Sequence, residues 1–79
     1  MPWVLYLLEC KGGSFYAGIT NNLAARFQVH LQGRGAKYTR AYPPIRILAH
    51  KNYPDRSEAS KAEAQLKALP KDKKIAFFE

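Results

Sequence analysis

The sequence is poor in three things. Cys10 is its only cysteine, which excludes an internal disulfide and any zinc cluster built on cysteines. Its longest apolar stretch, Trp3–Leu8, is strand-sized, far short of the roughly 20 residues a membrane-spanning helix needs. The first residues also lack the basic region and cleavage site of a secretory signal. These absences point to the cytosol and to no membrane partner. Acidic residues are the third scarcity: six Asp and Glu stand against 13 Lys and Arg, a formal charge of +7. A small basic domain suits polyanions, because phosphate neutralisation is the main sequence-independent source of nucleic-acid affinity. The cations are spread along the chain from Lys11 to Lys74, so a solvated surface accounts for the charge as well. No repeat, low-complexity segment or linker interrupts the 79 residues, which read as one domain, 1–79, with one small core.

The front of the chain, Trp3 to Thr20, is where structure is most legible. Trp3–Cys10 and Phe15–Ile19 are rich in aromatic and branched residues and read as strands. Gly12-Gly13 between them signals a hairpin, since adjacent glycines take positive φ at no steric cost. Turn length decides which side chains share a face. A two-residue turn pairs Cys10 with Phe15 and puts Tyr6 and Tyr16 on opposite faces. A three-residue loop or one bulge is expected instead, pairing Cys10 with Tyr16. That register gathers Tyr6, Tyr16, Gly18 and Thr20 on one face, and Trp3, Leu5, Leu7, Phe15, Ala17 and Ile19 on a wholly apolar other.

Thr20-Asn21-Asn22 supplies N-cap chemistry for a helix over about 23–32. Leu23, Phe27 and Leu31 form its apolar stripe, and Gly33 suits the position past its end. Arg26 and His30, four apart, stack beside that stripe. Taken alone, each has a bland reading: a solvated arginine and a half-buried or capping imidazole. Residues 33–44 then mix glycine and proline with three cations and two tyrosines. They read as an irregular connection with room for one helical turn at 36–40. Arg34, Lys37 and Arg40 can hold phosphates while Tyr38 stacks on an exposed base. Equally, Tyr38 and Tyr42 can pack the loop onto the sheet. Ile45–His50 reads as a third strand, with His50 structural or at the surface. Asp55 and Glu58 are spaced as a reciprocal cap for a helix whose stripe is Ala59, Ala62, Leu66 and Leu69, stopped at Pro70. A short last helix laying Ile75 and Phe78 on the core is expected after it.

The triplets Val4-Leu5-Tyr6 and Tyr16-Ala17-Gly18, an arginine and a histidine four apart after the second, and a glutamate on a later helix together resemble the GIY-YIG nuclease family. The run from Gly33 to Arg40, GRGAKYTR, closely resembles a segment of a small single-domain bacterial group. It also resembles one in the GIY-YIG subunit of a eukaryotic nuclease that cuts branched DNA. The likeness runs from Val4 to about Leu69 with the motifs in order. It departs from the name at Val4-Leu5 and Ala17, and at Ile19-Thr20, where some relatives carry a lysine.

The resemblance implies an α/β (α+β) fold with a three-stranded antiparallel sheet flanked by helices. It implies metal-dependent hydrolysis of DNA phosphodiester bonds, with Mg²⁺ or Mn²⁺ as cofactor. Tyr16 or Tyr6 would orient and deprotonate water, Arg26 would hold the scissile phosphate, and His30 would bond a tyrosine or the phosphate. Gly18 would leave room for phosphate and metal. Glu63 sits where the family carries its metal-binding glutamate. The other acids have work elsewhere: Asp55 and Glu58 cap, Glu9 faces away from Tyr6, and Asp72 and Glu79 lie in the tail. Glu63 can also be read as a surface residue paired with Lys67. DNA, in branched or single-stranded form, is the expected partner, selected by the domain itself, an oligomer or a partner protein. The competing function is a nucleic-acid-binding module with weak or no catalysis.

Overall fold

A computed structural model describes residues 2–79. Three strands, β1 (Trp3–Cys10), β2 (Phe15–Thr20) and β3 (Pro44–Tyr53), form one antiparallel sheet in the order β2-β1-β3. Helix α1 (Leu23–Leu31) and the short α2 (Lys37–Ala41) lie between β2 and β3, and α3 (Arg56–Ala68) and a single turn α4 (Lys71–Lys74) follow. The expected fold class is the observed one. Among the described residues, no helix is long and apolar enough to cross a membrane.

The hairpin loop has three residues, Lys11–Gly13, with Gly12 at φ 85° and Gly13 at φ 83°. The Cys10 N–H donates to the Ser14 carbonyl at 2.7 Å, so Tyr16 faces Leu8 rather than Cys10. The expected register is two residues off: the loop has three residues as expected, but it begins at Lys11 and closes at Ser14, one position earlier than a Cys10–Tyr16 pairing requires. A shift of two leaves every side chain on its assigned face. Tyr6 pairs with Gly18 and Val4 with Thr20.

β1 is central, and each of its faces has its own core. Leu5 and Leu7 pack with Ala17 from β2 and with Ala62 and Leu66 from α3. Tyr6, Leu8 and Cys10, on the other face, pack with Tyr16, Leu23, Phe27 and Ile47. Helix α1 therefore covers the tyrosine face. Asn22 caps it by accepting from the Ala25 N–H at 3.1 Å. Its C-terminus closes with Gly33 at φ 73°, Gly33 N–H to His30 O at 3.1 Å and Arg34 N–H to Val29 O at 3.0 Å, the double bond of a Schellman motif. Leu31, expected in the stripe, is exposed: it is the last residue of the helix, and only Leu23 and Phe27 of the stripe pack against the tyrosine-face core.

β3 runs longer than the expected Ile45–His50, since Asn52 and Tyr53 continue the ladder onto Val4 and Trp3. Two irregularities interrupt its pairing, one near Leu48 and one near Ile45. The second leaves Ile45 without a cross-strand partner and 60% exposed. Asp55 caps α3 through Glu58 N–H at 2.8 Å. The reciprocal half of that cap does not form, because the Glu58 carboxylate pairs with Lys61 at 3.5 Å. At the C-terminus Phe77 and Phe78 pack against the Leu5 core, whereas Ile75 is exposed. The 3-10 turn at Ala76–Phe78 puts consecutive aromatic rings inward in place of the helical pair expected.

Candidate active site

The tyrosine face carries the polar groups. Tyr6 is buried at the middle of the sheet, and its ring lies over Gly18. A Cβ at position 18 would sit 2.5 Å from the Tyr6 hydroxyl and 2.7 Å from Cζ. The space above Gly18 is therefore filled by the phenol. Tyr16 lies beside it at 6.4 Å between ring centroids.

Helix α1 delivers His30 to this pair. The imidazole is 0% exposed. Its Nε2 lies 3.0 Å from the Tyr6 hydroxyl, and its ring meets Tyr16 edge-on at 5.3 Å. Its Nδ1 lies 2.7 Å from Thr39 Oγ1, and that hydroxyl donates to the Ala36 carbonyl at 2.9 Å. The chain can approach the ring this closely only because residue 35 is glycine: a Cβ there would fall 2.2 Å from Nδ1.

Burial acts on both titratable groups. Desolvation, and then the neighbouring Tyr16, push the Tyr6 phenol up to about 12; the Arg26 guanidinium beside it works in the opposite direction, and the Glu63 charge adds to the rise. Burial holds the His30 imidazole below its usual 6.5, and Arg26 reinforces this. Tyr6 is thus a neutral phenol and His30 a neutral imidazole at pH 7.

Tyr6, Tyr16, Arg26 and His30 therefore come together. Glu63 is not brought into that group: its helix, α3, packs on the Leu5 and Leu7 face of the sheet, and its carboxylate pairs with Lys67 at 3.4 Å. Its charge is felt at Tyr6, and its side chain is 23% exposed. Among the described residues, no three or more His, Cys, Asp or Glu are grouped to hold a metal ion.

The segment after α1 extends the site outward. Tyr38 stacks on Tyr16 at 5.8 Å with ring planes 20° apart, and Tyr42 follows at 5.2 Å. The row runs from buried Tyr6 to Tyr42, which is 49% exposed. Lys37 and Arg40 flank it, and Arg34 bonds Gln32. None of these three cations has an acidic partner among the described residues.

Thr39 and Gly35 escape a reading of the sequence that looks for charge and aromatics. The available signal is a threonine three residues after Ala36 in a single helical turn, where its hydroxyl bonds back to the carbonyl.

Residues 2–76 match the GIY-YIG catalytic domain. A UPF0213 protein of Xanthomonas axonopodis pv. citri is 59% identical over 78 residues, spanning 99% of this chain and 76% of that protein. Another, from Cupriavidus pinatubonensis, is 53% identical over 75 residues, spanning 95% of this chain and 83% of that one. The solution NMR structure of a UPF0213 protein from Bacillus halodurans superposes with a TM-score of 0.59 at 41% identity, covering 96% of this chain and 81% of the other. The solution NMR structure of a protein from E. faecalis superposes with a TM-score of 0.67 at 39% identity, covering 98% of this chain and 82% of the other.

Proposed function

Because the chain belongs to the GIY-YIG catalytic-domain family and to the UPF0213 family of small bacterial proteins, we propose that it is a metal-dependent endonuclease hydrolysing DNA phosphodiester bonds. The observation that carries this reading is the buried Tyr6–His30 contact at 3.0 Å with Arg26 beside it. A buried phenol and imidazole with a half-buried guanidinium beside them are proton-transfer and phosphate-binding groups assembled together.

Arg26 holds the scissile phosphate, since its planar fork donates two hydrogen bonds and never loses its charge. Tyr16, the more open of the two phenols, orients the attacking water. The proton leaves through Tyr6. With a pKa of about 12, free phenolate at pH 7 is only roughly one part in 10⁵, so Tyr6 works as a relay. It accepts the water proton as it passes its own to His30 Nε2. The water oxygen bonds phosphorus, the P–O bond to the leaving oxygen breaks, and the proton on His30 returns to that oxygen or to solvent.

The donor set fits a hard divalent cation in one way only. With one carboxylate at hand, Mg²⁺ or Mn²⁺ would keep most of its waters and take phosphate oxygens as further ligands. Glu63 would hold it, exchanging Lys67 for the ion. When bound, the ion supplies charge neutralisation on the phosphate and the leaving oxygen.

Substrate selection falls to the segment from Arg34 to Tyr42. Arg34, Lys37 and Arg40 take phosphates, and Tyr38 and Tyr42 offer ring faces to unstacked bases. This favours DNA with branched or single-stranded regions over continuous duplex. The likeness of GRGAKYTR to the branched-DNA nuclease supports a role in repair or recombination, in the cytosol, with a partner protein sharpening the choice.

A gel assay with labelled single-stranded, duplex, flapped and four-way-junction DNA in Mg²⁺, Mn²⁺ or EDTA tests the proposal. Metal-dependent nicking that is lost in Glu63→Ala and Tyr6→Phe is the expected result. Salt-dependent binding that persists in EDTA, with no product on any substrate, would make the protein a binding module instead.

A further inference from the structure

We infer that Thr39 is a positioning residue: it holds His30 in the tautomer that carries its proton on Nδ1, leaving Nε2 free to take a proton from Tyr6. The catalytic use of that tautomer rests on the nuclease reading; the tautomer itself does not.

The number of hydrogens available fixes the tautomer. A threonine hydroxyl has one hydrogen and can accept through its lone pairs. Thr39 spends that hydrogen on the Ala36 carbonyl, 2.9 Å away. Toward His30 Nδ1, at 2.7 Å, it can then only accept, so Nδ1 must donate. A neutral imidazole has one N–H, and Nε2 is left as an acceptor facing the Tyr6 hydroxyl at 3.0 Å. The chain of donors runs one way, from Tyr6 to His30 to Thr39 to Ala36. All three side chains are buried, so water does not compete at the phenol or at either imidazole nitrogen.

The opposite tautomer is penalised at both ends. Nδ1 would face an oxygen with no hydrogen to offer, and a buried acceptor left without a donor is destabilising. Nε2–H would donate to the phenol and remove the site where its proton has to go. Gly35 supports the arrangement, since any side chain there would strike Nδ1. The consequence joins two parts of the molecule. Thr39 sits between Tyr38 and Arg40, on the turn that would meet DNA, so a shift of α2 on substrate binding acts directly on the His30 proton.

The experiment is a long-range ¹H–¹⁵N correlation spectrum of the DNA-free protein at neutral pH, with wild type, Thr39→Val and Thr39→Ser. Wild type should show a protonated Nδ1 and a bare Nε2 on His30. Thr39→Val should lose that preference, and Thr39→Ser should keep it. A protonated Nε2 in wild type, or an unchanged tautomer in Thr39→Val, overturns the inference. The kinetic counterpart is a fall in kcat of roughly 10–100-fold in Thr39→Val, with KM for DNA changed less than about twofold and Thr39→Ser restoring the rate. An unaltered kcat in a variant whose tautomer has switched would overturn the catalytic role. Absence of cleavage by wild type on every DNA would defeat the nuclease reading, while the spectrum would still decide the tautomer.

Discussion

Tyr6 and Gly18 face each other across the central hairpin, and the glycine is the seat of the phenol: a Cβ on residue 18 would lie 2.5 Å from the Tyr6 hydroxyl. Gly18→Ala should therefore displace the ring or strain the strand, at a cost of about 1–3 kcal/mol. Chemical denaturation measures this. Shortening the partner in Tyr6→Leu/Gly18→Ala should return part of the loss relative to the sum of the single variants. Additive effects would mean that the ring and residue 18 do not compete for the space.

Gly35→Ala should act on the imidazole as Gly18→Ala acts on the phenol. The added methyl would meet His30 Nδ1 at 2.2 Å, where the imidazole's own hydrogen bonds are buried. A loss of about 1–3 kcal/mol is expected. Ring-proton chemical shifts of His30 should move far more than those of His50, which is exposed on β3.

Glu63→Gln separates chemistry from folding. The Glu63–Lys67 pair is a partly exposed i,i+4 contact at 3.4 Å, worth only about 0.3–0.5 kcal/mol. The thermal midpoint should barely change, while cleavage in Mg²⁺ should disappear. Retained cleavage at the wild-type rate would remove Glu63 from the metal site.

Two pH effects follow from burial. The folded protein holds His30 neutral and below its usual 6.5, so the unfolded chain binds more protons as pH falls past 6.5. Stability should be full above that pH and decline below it. Cleavage, which needs the bare Nε2, should lose half its rate at a pH under 6.5. Tyr6 acts at the other extreme. The fold favours its protonated form, so stability should fall as pH climbs from 10 toward 12. Ultraviolet titration should find one late-ionising tyrosine, absent from Tyr6→Phe.

Binding should report the outer segment. Lys37→Ala and Arg40→Ala should each weaken binding to single-stranded DNA and reduce the slope of log K against log salt by about 0.7. Tyr38→Ala should cost about 1–3 kcal/mol with the slope unchanged, as expected where a base stacks. Fluorescence anisotropy from 50 to 200 mM salt, the range over which phosphate contacts lose most affinity, measures both.

The local elements and the two faces of the hairpin are legible in the residues alone. Period-2 alternation sorts Tyr6, Tyr16 and Gly18 from Leu5, Leu7 and Ala17 whatever the exact pairing, which is why a register error of two residues left the site intact. Caps at Asn22 and Asp55 and the stop at Gly33 are short-range hydrogen-bond chemistry, legible from a few neighbouring residues. The strand irregularities that expose Ile45 and the exposure of Leu31 and Ile75 depended on what the rest of the chain covers. So did the hydrogen-bonded site. Tyr6 and His30 are 24 residues apart, and His30 and Thr39 nine, so no local pattern registers either bond. Only the packing of α1 and α2 over one face of β1 brings phenol, imidazole and hydroxyl into a line and dries them. Burial then makes those contacts shift a pKa and select a tautomer, because an unpaired polar group in a dry pocket has no water to fall back on.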